Sequence, residues 1–389
     1  MSGGTLTRGV DDAVEPHESH ETEPVSDVPR HTRVTSLDTV RGVLLVFNIL
    51  VIATFLPRPA QLDHAEWFGV TVLDLIFPLF VTFSGIGLAF AHRNHVDWRR
   101  MARRVFLLVL IGLAYSAIMT ETTDLAVLRF TGPLQVYAVL VLVVGALHVV
   151  LRSPAAWALA TAFVAAGHTW FIAAWQAGCP GDELAPTCNP SRVIDVAVLG
   201  IDHVYRYNFL GHDPEGLVAT MGALVTAMVG TTAGHIALSR RGSWRAPAWV
   251  IAWAAAAGVM AIVASTYVPA MKRLWTSPFA LAVAALGIAA FAIGVAVLDL
   301  RSVEPWQRAR GPLTWPLVAL GRNSLLVYFG SHLLLHVLDS NGGEVTWADR
   351  VVERVDVIGN PELSYMLFML LLWVAITAVL HRFRIYLRP

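Results

Sequence analysis

Charge is scarce in this chain. Only 14% of its 389 residues are Asp, Glu, Lys or Arg, whereas a soluble domain carries about 25%. The formal net charge is zero, so there is no electrostatic case for nucleic acid as a partner. Lysine is nearly missing: Lys272 stands alone among 28 basic residues, a compositional bias rather than a mechanism. The two cysteines, Cys179 and Cys188, have no metal-ligand cluster around them, and no metal is expected. No phosphate-cradling glycine-rich loop and no Gly-x-Ser-x-Gly elbow occurs, and the composition excludes a soluble-type nucleotide fold. The N-terminus lacks the apolar core of a signal peptide. Residues 1–33 are polar and acidic, and are expected to form a disordered tail.

Apolar sequence fills the rest. Hydrophobic residues make up 56% of the chain and the mean hydropathy is +0.60. Runs long enough to cross ~30 Å of hydrocarbon recur at 39–56, 67–91, 104–119, 133–150, 155–175, 217–238, 246–267, 277–297, 315–338 and 362–380. The expected fold is an all-α polytopic membrane protein with about ten transmembrane helices, one domain over residues 34–389. Arginine and lysine orient it. With the N-terminus cytoplasmic, basic residues on the inner side outnumber those outside by more than two to one, and both termini fall inside. Arg58, Arg129, Arg192, Arg206, Lys272, Arg273, Arg350 and Arg354 are then outside. So is the long loop 176–216, in a compartment where a Cys179–Cys188 disulfide can persist. Its closure would contribute roughly 2–3 kcal/mol in the chain-entropy model. Within that loop, Val193–Leu199 is expected to be a short helix at the outer surface.

The stretch Asp63–Gly87, DHAEWFGVTVLDLIFPLFVTFSGIG, sets the functional question. An ionisable side chain in hydrocarbon is costly unless paired or facing a polar cavity, which makes Asp74 a site candidate. His64, ten residues earlier, is of the type most used as a general base. Asp74 or Glu66 would fix its tautomer. In the first helix Asp38, Arg41 and Asn48 share one stripe. Asp38 and Arg41 are spaced to pair, and Asn48 points inward near the His64 loop. Gln135 opens the fourth span. Arg322, Asn323 and Ser324 begin near the cytoplasmic side, where Arg322 and Asn323 suit a phosphate or the carbonyls of a long cofactor. Ser84, Gly85 and Gly87 are expected to serve close packing. His148, His168 and His235 are expected to be packing histidines. His332 and His336 share a face but lack the third ligand and adjacent Glu of a zinc site.

Several segments together resemble one family. RVTSLDTVRG (33–42), HAEWFGVTVLDLIFPLFVTFSGIGLAF (64–90), FTGPLQVYAV (130–139), the Asp-Pro-Glu-Gly-Leu run at 213–217, VPAMKRLWTSPFAL (268–281) and GRNSLLVYF (321–329) are similar, in order, to the heparan-α-glucosaminide N-acetyltransferase family of transmembrane acyltransferases. The resemblance implies transfer of an acetyl group from cytoplasmic acetyl-CoA to an amino sugar or glycan across the bilayer. It places the active histidine on His64, as general base or acetyl carrier, with Asn48 and Asp74 beside it. Asp38, Arg41, Gln135, Arg322, Asn323 and Ser324 would hold acetyl-CoA. Glu66, Trp67, Lys272 and Trp275, from the two tryptophan motifs, would meet the acceptor. A homodimer and a bacterial plasma-membrane location are also implied. The chain departs from the family pattern at Phe68, Val136 and Arg273. O-acylation of an envelope glycan, or a transporter using the same polar residues, are the alternative readings.

Overall fold

The computed structural model describes residues 3, 34–205, 212–300, 304–340 and 345–386. The chain divides into two units, Met1–Arg33 and Val34–Pro389. The acidic tail expected over residues 1–33 lies outside the described residues, apart from Gly3, and so does Arg206.

Among the described residues of the larger unit there are α-helices and no strands: α1 (Thr35–Ile52), α2 (Ile76–Ala91), α3 (Trp98–Met119), α4 (Pro133–Val150), α5 (Pro154–Gln176), α6 (Pro190–Leu199), α7 (Leu217–Ser239), α8 (Arg245–Ser265), α9 (Ser277–Gly294, continued by a π turn, Val295–Asp299), α10 (Glu304–Arg322), α11 (Ser324–Asp339), α12 (Trp347–Val355) and α13 (Pro361–Arg382). Nine helices among these residues are long and apolar enough to cross a membrane, and α11 is a shorter apolar one. This is an integral membrane protein. Helix starts follow local chemistry. Proline lies in the first turn of α4, α5, α6, α9 and α13, where its missing N–H costs nothing. Ser153, Asn189 and Asn360 accept a backbone N–H as N-caps of α5, α6 and α13.

Three expectations are corrected. The run 67–91 is not one helix: a 3-10 turn at Leu73–Leu75 leads into α2. A helix begun at Trp67 would bury Pro78 in its interior and break a hydrogen bond there, whereas the observed start puts Pro78 in the first turn. The run 315–338 is also split, since α10 ends at Arg322 and α11 begins at Ser324, with Asn323 between them. Lastly, Asp38 takes Arg322 of α10 as its ion-pair partner at 3.2 Å, while Arg41 donates to the Phe83 carbonyl at 2.6 Å. A tertiary neighbour displaces the i,i+3 pairing because α10 lies directly on α1.

Small residues allow that contact. A Cβ on Gly321 would fall 1.8 Å from the Asp38 carbonyl oxygen, and one on Gly42 2.0 Å from that of Leu317. The buried helix α7 crosses α2 in the same way, through Gly85 against Ala227 and Gly230 against Thr82. In an apolar solvent, close backbone approach and packing replace the hydrophobic drive between helices.

The bundle has two polar ends. At one, Trp67 donates its indole N–H to the Leu184 carbonyl at 2.7 Å, Arg273 donates to the Ala65 carbonyl at 3.1 Å, and Gly69 bridges Met271. The disulfide Cys179–Cys188, with Cα atoms 5.8 Å apart, braces the loop there that leads to α6, and α6 covers the helix expected at Val193–Leu199. At the other end Asp38, Arg322 and Tyr386 join, the Arg322 guanidinium donating to the Tyr386 hydroxyl at 2.8 Å. Ser36 there donates to Asp299 at 2.6 Å.

Candidate active site

His64 lies in the loop between α1 and α2, and Asp74 in the 3-10 turn that starts the second span. The Asp74 carboxylate is fully buried, and His64 Nδ1 lies 2.7 Å from its Oδ1. Its other oxygen accepts the Thr71 N–H at 3.1 Å and the Ala65 N–H at 3.3 Å. A carboxylate surrounded by donors only accepts, so Nδ1 carries the imidazole proton and Nε2 keeps its lone pair. About half of the His64 side chain, 47%, is exposed. This is a histidine oriented by a buried acid with its second nitrogen available as a base. Glu66 is exposed, and Asp74 holds the tautomer.

Around this pair the structure assembles residues from distant parts of the chain. Trp67 is buried with its ring edge-on to His212, centroids 5.0 Å apart. Lys272 is buried within electrostatic range of Asp74 and Glu215, and burial lowers its pKa. Trp275 has φ +49° and is fully buried against Phe77 and Phe279, with its indole donating to Thr226 at 3.0 Å. It holds the turn between α8 and α9 in place.

Next to these lies a network that sequence reasoning missed. Arg129 pairs with both Asp213 and Glu215, the latter at 2.6 Å. Asp213 also accepts from Thr131, from the Tyr205 N–H at 2.9 Å and from the Glu215 N–H at 2.9 Å. Burial opposes the Arg129 charge, but the two carboxylates overcome it and raise the pKa above its ordinary value. Ser191 links Asp213 to Asp195, which accepts the Leu217 and Val218 N–H groups at the start of α7. Burial pushes the Asp195 carboxyl up to about 6. The Asp213-Pro214 turn was visible in the sequence; its partner Arg129, some eighty residues away, was not.

A polar path leads from here to the opposite end. Successive groups along it lie within electrostatic range of each other: Lys272 and Glu215, then Tyr115 and Tyr328, then Tyr137, then Arg104 and Arg41. His332 of α11 lies within range of His64 and donates toward the Tyr328 carbonyl at 2.8 Å. His336 instead approaches Glu121 at 3.6 Å. Among the described residues, the buried atoms without a hydrogen-bond partner include Asn48 Nδ2, Gln135 Nε2 and Arg104 Nε in this part of the bundle, besides Tyr365 Oη and Trp373 Nε1 of α13. Buried donors are nearly always paired, so the first three mark where a polar ligand would fit. Asn48 sits one turn before the end of α1. Gln135 and Arg129 line a cavity of about 60 Å³ with Tyr115 and Ser116.

The predicted donor-binding residues therefore fall into separate groups. Asp38 and Arg322 are paired at the far end, Arg41 stands near Arg104, and Gln135 belongs to the cavity beside Arg129. Asn323 is buried, donating to the Ala319 carbonyl at 3.2 Å with its Oδ1 unpartnered, and Ser324 opens α11. Of the packing histidines, His168 bonds Ser277 at 2.8 Å. His148 bonds the Val144 carbonyl at 2.7 Å and meets His235 at 3.1 Å.

A family model described as heparan-alpha-glucosaminide N-acetyltransferase, catalytic, matches residues 33–190. Over that segment the chain is similar to the heparan-alpha-glucosaminide N-acetyltransferase family. Curated relatives of that name from Homo sapiens and Mus musculus are 25% and 24% identical to it, each over 91% of this chain. The chain spans about three-fifths of their length, 59% and 60%. The segment matched by the family model contains His64, Asp74, Asn48, Arg41, Arg104 and Gln135; Lys272 and His212 lie beyond it.

Proposed function

We propose that this protein is a transmembrane acetyltransferase that moves an acetyl group from acetyl-CoA to an amine or hydroxyl of a sugar at the His64 end of the bundle. The observation that carries the reading is the Asp74–His64 hydrogen bond, which leaves Nε2 as a base at the head of a polar path through the helices. The arginine bias along the sequence supports placing His64 on the extracytoplasmic side and both termini in the cytoplasm.

The unpartnered donors of Asn48, Gln135 and Arg104, with Arg41 near Arg104, fit a thioester co-substrate. Arg41 and Arg104 supply charge for phosphates, Gln135 an amide for the pantetheine arm, and Asn48 a donor for the thioester carbonyl. Acetyl-CoA brings an activated acyl group with a thiolate as leaving group. His64 Nε2 accepts the proton from the acceptor nitrogen or oxygen as that atom bonds the carbonyl carbon. Asp74 stabilises the imidazolium that forms. Asn48 Nδ2 donates to the developing oxyanion, worth about 3 kcal/mol in comparable sites. The carbon–sulfur bond then breaks, and His64 returns the proton to the departing sulfur.

The test is transfer of labelled acetyl from acetyl-CoA to glucosamine in membranes containing the full chain. Wild type is expected to be active, and His64→Ala to lose roughly 10²–10⁴-fold in kcat. A wild-type rate in His64→Ala would remove His64 from the reaction.

A further inference from the structure

His212 is the least satisfied polar group near the site. It is 2% exposed, and neither of its ring nitrogens has a hydrogen-bond partner among the described residues. Its ring is held edge-on between Trp67, at 5.0 Å, and Tyr205, at 6.3 Å. Both contacts are apolar, so they fix the ring without satisfying it. Leaving two buried polar atoms unpaired costs stability, and native structures rarely keep such a group without a use for it.

The surroundings define what would satisfy it. Arg273 and Lys272 lie within electrostatic range of the ring, as do Asp213 and Glu215. Burial and the two cations keep the imidazole neutral, its pKa lowered to about 4, so it offers one N–H and one lone pair. Lys272, 8% exposed and within electrostatic range of Glu215 and Asp74, offers further donors. Asp213 is already saturated by Arg129, Thr131 and two backbone N–H groups. A group that both donates and accepts, and carries no charge, matches this set: the hydroxyls of a sugar ring. The link to the reacting histidine is short in sequence, because Trp67 follows His64 by three residues and Ala65 is held by Arg273.

We infer that His212 and Lys272 form the acceptor subsite, in which the imidazole of His212 reads ring hydroxyls while His64 handles the reacting amine or hydroxyl. This rests on the transferase reading above and adds the recognition of the acceptor to it. A site built to hydrogen-bond a hydroxyl discriminates strongly against an analogue that lacks it.

The experiment compares glucosamine with cyclohexylamine, which keeps the ring and the amine but has no hydroxyls. The kcat/KM ratio of the two is measured for wild type, His212→Phe and His212→Asn in the full chain, alongside melting temperatures without acceptor. Phenylalanine keeps the edge-on packing on Trp67 and removes the two unpaired atoms. The expected result is a fall of tenfold or more in the glucosamine preference of His212→Phe, through acceptor KM. Its melting temperature should stay level or rise. His212→Asn, which restores one donor and one acceptor, should recover part of the preference, and it decides the matter if the phenylalanine variant does not fold. An unchanged preference in the folded variants overturns the inference. So does a lowered melting temperature with the preference intact, the signature of a histidine satisfied by internal water. If wild type acetylates neither amine from acetyl-CoA, the transferase reading fails and this inference falls with it, an outcome distinct from the other two.

Discussion

His64 and Asp74 divide one task between them. The histidine is half exposed and the acid fully buried, so in the proposed reaction the acid would orient and the histidine would react. Asp74→Asn preserves shape but replaces an acceptor-only group with one that also donates, which favours the opposite imidazole tautomer. The expected outcome is a loss of 10²-fold or more in kcat with the acetyl-CoA KM little changed, by analogy with other oriented histidines. Steady-state kinetics on labelled transfer would check it, and a rate within threefold of wild type would reassign Asp74 to folding alone. Both residues were legible in the sequence, because a carboxylate in an apolar run calls for an explanation wherever it occurs. His212 was not, since nothing local distinguishes a histidine whose nitrogens are paired from one whose nitrogens are not.

The junction of α6 and α7 responds to protons through Asp195. Asp195 caps α7, and its carboxyl is raised to about 6 by burial, against an unfolded value near 3.8. The folded state therefore binds this proton more tightly than the unfolded chain does. The associated stability is fully present below about pH 4 and is lost as pH rises through about 6. Between pH 7.5 and 5 wild type should gain about 1 kcal/mol relative to Asp195→Asn, seen as a melting-temperature difference that depends on pH. A constant difference would show that Asp195 is ionised throughout. His212 shifts in the opposite sense, which is why the comparison with the variant, and not the raw pH curve, isolates Asp195. The sequence marked this region as a long loop holding a short helix at Val193–Leu199, which the structure extends back to Pro190.

Across the whole bundle, helix contacts rest on missing side chains. Gly42 and Gly321 face backbone carbonyls at distances no Cβ tolerates, whereas Gly258 of α8 has open space around its Cβ position. Gly42→Ala and Gly321→Ala should each cost about 1–3 kcal/mol through overpacking and lower the melting temperature, with Gly258→Ala as the neutral control. Equal effects at all three positions would show that α1 and α10 are not locked together. Because Asp38–Arg322 lies at that crossing, separating the helices would also break the ion pair at the far end of the polar path.

The sequence by itself determined the class of protein, where most spans lie, and which ionisable residues would be costly inside them. These follow from hydrocarbon thickness and from the expense of burying charge, both of which act locally along the chain. Starts and breaks were less legible: Pro78 moved the beginning of α2, and Asn323 divides a single apolar run into α10 and α11. Only the tertiary structure decided the partners. It gave Asp38 to Arg322 and joined Arg129 to Asp213 and Glu215. It also set His212 against Trp67 and brought Lys272 within electrostatic range of Asp74. Those choices depend on which helix faces meet, and close backbone approach at glycines selects the faces, not the periodicity of any one segment.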